Sequence, residues 1–221
     1  MSTNVQTQGE VLNLTRQNFA DGEDKNIQMN SMGAVLAALP LPINSEIVRQ
    51  GYSFVAGTAT AVAPVATIPT TAAHFLLFNG AAQTGNGKSL VIHTVSSYTV
   101  VSAGAAIVLN MLAHNSTLAV ASIPAITAAT GIKSLNGGAN TSVASVGSAG
   151  TIVNNGIWHP IGNSIVCAGT ANIALGTYVD TNGLYVVPPG GIFSLAMLCS
   201  AAASATCSFF VTWSEVLIEN G

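Results

Sequence analysis

The chain has 221 residues, yet it carries only five Lys or Arg and eight Asp or Glu, with a net charge of −3 at pH 7. Phosphate binding needs clustered Lys and Arg, and the five cations are scattered singly, so the composition excludes a nucleic-acid surface. The longest mostly apolar stretch, residues 54–78, is interrupted by Gly57, Pro64 and Pro69 and therefore predicts no membrane-spanning helix.

Charged residues are concentrated in residues 1–50, and the rest of the chain carries only Lys88, Lys133, Asp180, Glu215 and Glu219. An average globular domain is about 25% charged, so a body of this size normally carries several times more. Contacts between subunits are depleted of charge and keep small and apolar residues. The composition therefore predicts a building block of an assembly and not a catalyst.

Residues 1–30 are rich in Gln, Asn, Asp and Glu, which is typical of a segment that becomes ordered only on a partner. Met32–Leu39 is a candidate short helix that Pro40 and Pro42 would stop. An acidic stretch precedes this apolar run, where a secretory signal would have basic residues. We interpret residues 1–50 as an extended N-terminal arm, and we expect the chain to be made in the cytoplasm and not targeted for export.

From Gly51 onward, runs of Val, Ile, Phe, Tyr and Thr alternate with clusters of Gly, Asn and Pro, as in short strands joined by turns. Asn79-Gly80 and Asn182-Gly183 are typical of hairpin turns, and residues 134–150 predict a long loop of small residues. The pattern indicates an all-β fold, with a jelly-roll β-sandwich over residues 51–221. The predicted strands are 52–62, 74–78, 89–101, 105–112, 117–123, 156–161, 164–168, 171–179, 183–187, 191–199 and 205–218.

The segment Ala82–Ser89, Ala-Gln-Thr-Gly-Asn-Gly-Lys-Ser, matches a relaxed phosphate-loop pattern. A nucleotide site requires such a loop to open a helix, whose N-terminal N–H groups then hold the phosphates. The residues after Lys88 are instead β-branched and alternate like a strand, and no acidic residue at a later strand end offers to hold magnesium. We therefore interpret the segment as a Gly-rich hairpin loop and predict no nucleotide cofactor.

No group of residues predicts catalysis or metal binding. The carboxylates of the body are Asp180, expected in a turn, Glu215 and Glu219, and no Ser/His/Asp or Cys/His assignment stands out. Each histidine is expected to be a satisfied, partly buried residue or a loop residue, because their spacing is not that of a local metal site. We predict no catalytic, cofactor-binding or metal-binding residue. The histidines are His74, His93, His114 and His159.

The three cysteines, Cys167, Cys199 and Cys207, also lack metal-ligand spacing. Free cysteine is among the most buried residue types, so we predict three buried thiols. A disulfide between Cys199 and Cys207, facing each other across a hairpin, is the alternative.

Residues 211–218 alternate between two faces of a strand. One face carries Val211, Trp213, Glu215 and Leu217, which places a carboxylate beside a large apolar ring. We predict that Trp213 is largely buried and that Glu215 lies at the sheet margin, paired with a backbone N–H or a neighbouring side chain.

Three segments carry a family resemblance: 182–197 (Asn-Gly-Leu-Tyr-Val-Val-Pro-Pro-Gly-Gly-Ile-Phe-Ser-Leu-Ala-Met), 207–218 (Cys-Ser-Phe-Phe-Val-Thr-Trp-Ser-Glu-Val-Leu-Ile), and Pro69–Asn79 followed by Gly87-Lys-Ser89. They resemble the strands of jelly-roll virion proteins of tailed bacteriophages, which include capsid decoration (cement) proteins and small fibre or spike heads. The resemblance is one of pattern. It implies a homotrimer docked on a capsid through an N-terminal arm, and it implies no catalytic residue.

Composition and resemblance together predict a non-enzymatic virion protein on the capsid exterior that decorates or cements the shell. Its predicted partners are copies of itself, as a homotrimer, and the major capsid protein or neighbouring virion proteins, without nucleic acid, membrane or cofactor. The alternative is the receptor- or glycan-binding tip of a tail fibre or spike. Sugar sites stack aromatic rings, and the candidates for that role are Trp158, Trp213, Tyr98, Tyr178 and Tyr185.

Overall fold

A computed structural model describes residues 43–58, 60–69, 72–80, 87–102, 106–117, 128–129, 131–151, 157–167, 173–200 and 205–217. The chain divides into two units, Met1–Ile43 and Asn44–Gly221. Of the predicted arm, only the last residues are described, and the candidate helix Met32–Leu39 lies outside the described residues. No helix in the described part of the chain is long and apolar enough to cross a membrane.

One helix and twelve strands make up the described structure. The helix α1 is Ile43–Arg49. The strands are β1 Ser53–Gly57, β2 Ala72–Asn79, β3 Lys88–Val101, β4 Ile107–Thr117, β5 Ala128–Ala129, β6 Lys133–Ser134, β7 Ala144–Thr151, β8 His159–Pro160, β9 Ile165–Cys167, β10 Ile173–Val187, β11 Gly191–Cys199 and β12 Ala205–Leu217.

The strands form two antiparallel sheets, which confirms the predicted all-β sandwich. Sheet I is five-stranded, with the order β10-β3-β12-β1-β6. Sheet II is seven-stranded, with the order β5-β7-β2-β11-β4-β8, and β9 also pairs with β4. Strands that follow one another in sequence therefore often lie in different sheets, as β1, β2 and β3 do.

The main core contains the inward residues of both sheets, because alternate residues of a strand point to opposite faces. Sheet I contributes Trp213, whose ring stacks on Phe54 with centroids 6.0 Å apart, and sheet II contributes Phe75 and Phe193. Trp213 is fully buried, as its alternation along the last strand predicts.

Sheet II is buried on its other face too. A second cluster there contains Leu76, Phe78, Ile192 and Trp158. Burial on both faces explains why β11 is almost continuously apolar, whereas sheet I strands alternate.

The loop predicted for residues 134–150 is wrong at its C-terminal end, where β7 runs from Ala144 to Thr151. Its Gly, Ser and Ala residues have low strand propensity, but β7 pairs along the apolar strand β2, with Val146 opposite Leu77. Tertiary pairing therefore decides the conformation of a segment whose own sequence predicts a loop.

The two predicted hairpin turns are also wrong. Asn182 and Gly183 have positive φ angles of 48° and 75°, yet they lie inside β10 at a register shift, so two predicted strands are one. Asn79 ends β2, and the next strand, β3, lies in the other sheet. Neither dipeptide joins two paired strands.

The strand predicted after the Gly-rich segment is present, but the predicted hairpin is wrong, because β2 and β3 lie in different sheets. Lys88 opens β3, so the segment is followed by a strand and not by a helix. The Asn79 side-chain amide donates hydrogen bonds of 2.9 Å to the carbonyl oxygens of Lys88 and Val187, which ties the start of β3 to the end of β2. Residues 81–86 lie outside the described residues.

Candidate interaction surface

The outer face of sheet I, opposite the core, presents its side chains in rows, because directly paired residues of antiparallel strands point to the same side. We define the sheet I face as four such rows. Row 1 is Asp180, Thr94, Thr212, Val55 and Lys133; row 2 is Tyr178, Ser96, Phe210 and Gly57; row 3 is Gly176, Tyr98 and Ser208; row 4 is Ala174, Val100 and Thr206.

Three aromatic rings stand out from this face. Tyr178, Tyr98 and Phe210 are 68%, 50% and 43% exposed. Their direct neighbours across the sheet are small: Ser96 lies between Tyr178 and Phe210, and Gly176 and Ser208 flank Tyr98. Small residues beside large rings leave depressions between the rings, so the surface has the knobs and grooves into which another protein surface can pack.

The position of the Phe210 ring on this face leaves no room for a side chain at Gly57. A Cβ atom there would lie 2.4 Å from Cδ1 of Phe210, which shows that the phenylalanine ring covers the Gly57 backbone. The Phe210 ring therefore packs on the Gly57 backbone and is still partly exposed.

The charges of the sheet I face lie at its two edges. Asp180 is on the edge strand β10 and Lys133 on the opposite edge strand β6, and both belong to row 1. Rows 2, 3 and 4 contain no charged residue. Strands are about 4.8 Å apart, so the two charges are separated by about 19 Å across the sheet.

A chain of polar side chains adjoins row 1. The His93 Nε2 atom lies 2.6 Å from the Ser214 hydroxyl, and that hydroxyl lies 2.8 Å from the Ser53 hydroxyl. β12 pairs Thr212 with Thr94 and Trp213 with Ile92, so His93 is an extra residue of β3. Such a β-bulge re-aims a side chain, and here it turns the imidazole toward Ser214.

Burial limits the reactions in which these linked side chains of His93, Ser214 and Ser53 could take part. Burial lowers the pKa of His93, and the nearby negative charge of Asp180 acts in the opposite direction. Ser, His and Asp residues therefore do come close, which sequence spacing did not predict because the three lie on different strands. Ser214 is fully buried between Ser53 and His93, so its hydroxyl has no access to a substrate carbonyl.

The other three histidines lie at separate positions and have different neighbours. The Met197 backbone N–H donates a 3.0 Å hydrogen bond to Nδ1 of His74, and His159 Nε2 lies 2.7 Å from the Tyr185 hydroxyl. His114 differs from the prediction: it is fully buried against the Trp158 ring, and neither ring nitrogen has a hydrogen-bond partner in the described structure. The described His, Cys, Asp and Glu residues form no group of three that could hold a metal ion.

Glu215 pairs with a backbone N–H and the three thiols are buried, as predicted, but Glu215 is buried on the central strand β12 and not at the sheet margin. The Val143 backbone N–H donates a 2.8 Å hydrogen bond to Glu215 Oε1, and Lys88 Nζ lies 3.6 Å from Oε2. The three thiols are buried and free, and Cys199 and Cys207 lie on strands of different sheets and not across a hairpin. Glu219 lies outside the described residues.

The aromatic residues proposed for sugar stacking separate into two groups. Trp158 and Trp213 are buried, at 8% and 0% exposure, so they are closed to a ligand. Tyr185 is half-buried against Phe193, with ring centroids 5.2 Å apart. Tyr98 and Tyr178 are exposed, and both belong to the sheet I face.

No family model matches the chain, and neither a curated protein nor a solved structure matches it. The functional inference therefore depends on the geometry of the sheet I face.

Proposed function

We propose that the chain is a non-enzymatic structural subunit of a virion, which associates with copies of itself and decorates or cements a phage capsid. The sheet I face carries this proposal, because it exposes three aromatic rings among small residues and has charges only at its edges. Aromatic residues are enriched, and charged residues depleted, at the centres of protein–protein interfaces. Monomeric proteins rarely expose extended apolar patches.

We further propose that the sandwich is a jelly roll. Its support is the strand order, in which eight strands divide as β10-β3-β12-β1 and β9-β4-β11-β2. Successive strands pass between the two sheets, except that β4 and β9 pair directly, and the first and last strands, β1 and β12, are neighbours. Such a path is expected of a jelly roll, which contains two Greek keys and is common in viral capsid domains.

The virion location, the trimer and docking through residues 1–50 are proposed from the sequence resemblance. They agree with the low charge of the body, since a surface that other subunits cover needs few charges to stay hydrated. The buried hydroxyl of Ser214 agrees with a role that requires no nucleophile.

Self-association is tested on the purified full-length chain by light scattering coupled to size-exclusion chromatography. Salt screens charges, and the body has few, so we expect the oligomer to persist from low to molar salt. An oligomer that dissociates in high salt while the chain stays folded would contradict a contact built on uncharged residues.

The virion location needs a separate experiment. We expect peptides of this chain in mass spectra of purified particles from the source that encodes it, and immunogold labelling on the capsid exterior. Antibody against the full chain that labels only tail tips would support the alternative function, and a chain absent from particles would refute both.

A glycan-binding function is the second candidate, because Tyr98 and Tyr178 are exposed on one face. Aromatic faces of this kind stack on the apolar side of a sugar ring, and Asp180 in the next row is a hydrogen-bond acceptor beside Tyr178. A glycan array measures this directly. Binding that is lost in Tyr178→Ala and kept in Leu184→Ala, an exposed residue on the same strand, would establish it.

A further inference from the structure

We propose that the partner of the sheet I face is the same face of a second copy of this chain, packed across a two-fold axis that runs parallel to β12. The inference extends the proposed self-association and names its contact. It does not depend on the chain being a virion component.

The position of the axis follows from the order of the strands. β12 is the central strand of sheet I, with β3 and β10 on one side and β1 and β6 on the other. A two-fold axis between two facing sheets, parallel to the central strand, exchanges the two edges and leaves each row opposite the same row. Aligned strands are one of the two ways in which sheets pack face to face.

The edge charges select this arrangement. Row 1 has Asp180 at one end and Lys133 at the other, each two strands from β12. The rotation places Asp180 of one copy opposite Lys133 of the other, and it does so twice. A two-fold axis in the same plane but perpendicular to the strands would instead keep each edge opposite the same edge of the other copy, so Asp180 could not face Lys133. Complementary charges at a rim contribute orientation and specificity more than affinity.

The centre of the same contact is apolar and shaped for packing. Phe210 and Ser208 lie on β12 next to the axis, and Tyr98 and Tyr178 lie on the β3 and β10 side. The rotation therefore places Tyr98 of one copy over the β1 side of the other and Tyr178 over its β6 side, while the two Phe210 rings meet at the axis.

The area fits a reversible contact. Each outward residue of a sheet covers about 33 Å², so the four rows cover about 500 Å² per copy before the protruding rings are counted. Two copies together bury about 1,000 Å², the lower end for a specific interface, so the contact should depend on protein concentration.

The first experiment compares the mass of the full chain with that of Phe210→Glu, by sedimentation equilibrium. A charge on the axis meets its own counterpart, so we expect the variant to have half the mass of the parent. If the parent is a dimer, the variant should be a monomer; if the parent is a pair of trimers, the variant should be a single trimer. The two-fold contact and the proposed trimer are therefore tested separately. Leu217→Glu, on the same strand but outside the four rows, should keep the parent mass.

Charge reversal tests the orientation of the two copies. Because Asp180 and Lys133 are exposed at the sheet edges, we expect the variants to stay folded. We expect Asp180→Lys and Lys133→Asp each to raise the dissociation constant of the contact about tenfold, because two attractive pairs become repulsive. The double variant restores attraction and should return the dissociation constant to the parent value. Unchanged masses in both single variants, or no recovery in the double variant, would overturn the proposed axis.

Crosslinking gives a readout that does not depend on affinity. Because the three natural thiols are buried, a short bis-maleimide should join Thr212→Cys, which lies at the axis, into a covalent dimer. Val166→Cys, 75% exposed on β9 of sheet II, is the matched control and should remain uncrosslinked. A parent chain that is monomeric at all concentrations, or equal crosslinking of the two variants, would refute the contact.

Discussion

The Glu215 carboxylate on β12 accepts a 2.8 Å hydrogen bond from the backbone N–H of Val143, the residue that leads into β7. The bond joins β12, the central strand of sheet I, to the segment that leads into β7 of sheet II. The same oxygen also accepts a hydrogen bond from the Ser142 hydroxyl, and the Glu215 side chain is fully buried. These two hydrogen bonds make the buried carboxylate a link between the two sheets.

Removing this carboxylate should cost stability. Hydrogen bonds to charged groups are each worth about 1.5–3 kcal/mol, so we expect Glu215→Ala to lower the free energy of unfolding by about 2–3 kcal/mol. Glu215→Gln retains an oxygen for the Val143 N–H and loses only the charge facing Lys88, so it should cost about 1 kcal/mol. Urea unfolding measures both. Equal losses in the two variants would show that the charge, and not the hydrogen bonds, provides the link.

Truncation of Trp213 should lower the free energy of unfolding more than most substitutions in this chain. Its ring is fully buried and stacks on Phe54 at an interplanar angle of 28°. Truncation of a large aromatic residue in a core costs about 3–5 kcal/mol, which we expect for Trp213→Ala in chemical denaturation. Leu217→Ala, on the same strand but 73% exposed, should stay within about 0.5 kcal/mol of the parent. A loss under about 1 kcal/mol for Trp213→Ala would contradict this position of the ring.

Stability should fall in mild acid because of His74. Burial lowers the pKa of this imidazole from 6.5 to about 4. Above pH 6.5 the ring is neutral in both states and the full stability is present. Between pH 6.5 and 4 the unfolded chain takes up a proton that the folded chain refuses, so stability decreases, by about 3 kcal/mol in total from this group. Burial also lowers the pKa values of His93 and His114, which adds to the same trend.

The slope of unfolding free energy against pH is the measurement for this prediction. His74→Asn keeps an oxygen to accept the Met197 N–H and removes the titrating group, so the slope between pH 6.5 and 4 should become smaller. Leu195→Ala destabilises the same core through a cavity and should leave the slope unchanged. A parent slope retained in His74→Asn would assign the acid sensitivity to other groups.

The sequence predicts most strands of this fold because apolar alternation is a local signal. It misses the two-residue strands β5 and β6, and it also misses β7, whose Gly and Ser residues become a strand only through pairing with β2. It also divides β10 at Asp180–Gly183, where Asp180 Oδ1 accepts a hydrogen bond from the Asn182 N–H inside a continuous strand. A turn-forming sequence and a bulge share the same local chemistry, so only the paired strand β3 distinguishes them.

The interaction surface is harder to predict from the sequence than the strands. The low charge of the body does indicate a covered surface, and Tyr98 and Tyr178 are recognisable as candidates. Their convergence with Phe210 depends on the register of β10, β3 and β12, which no local spacing encodes. The opposition of Asp180 and Lys133 in one row spans five strands, so it is visible only once the sheet order is known.

The bulge in β10 should be sensitive to the residue at position 183. Gly183 has a φ angle of 75°, which L side chains rarely adopt, and a Cβ atom there would lie 3.1 Å from Cγ1 of Val91. We expect Gly183→Ala to lower the free energy of unfolding by about 1–2 kcal/mol, because the left-handed conformation disfavours a Cβ atom. Gly176→Ala is a matched control on the same strand: its nearest contact would be the Ser97 carbonyl oxygen at 3.9 Å, so it should be neutral or slightly stabilising. Thermal unfolding of both variants at equal concentration decides the point, and an equal response would show that the strand tolerates a side chain at its bulge.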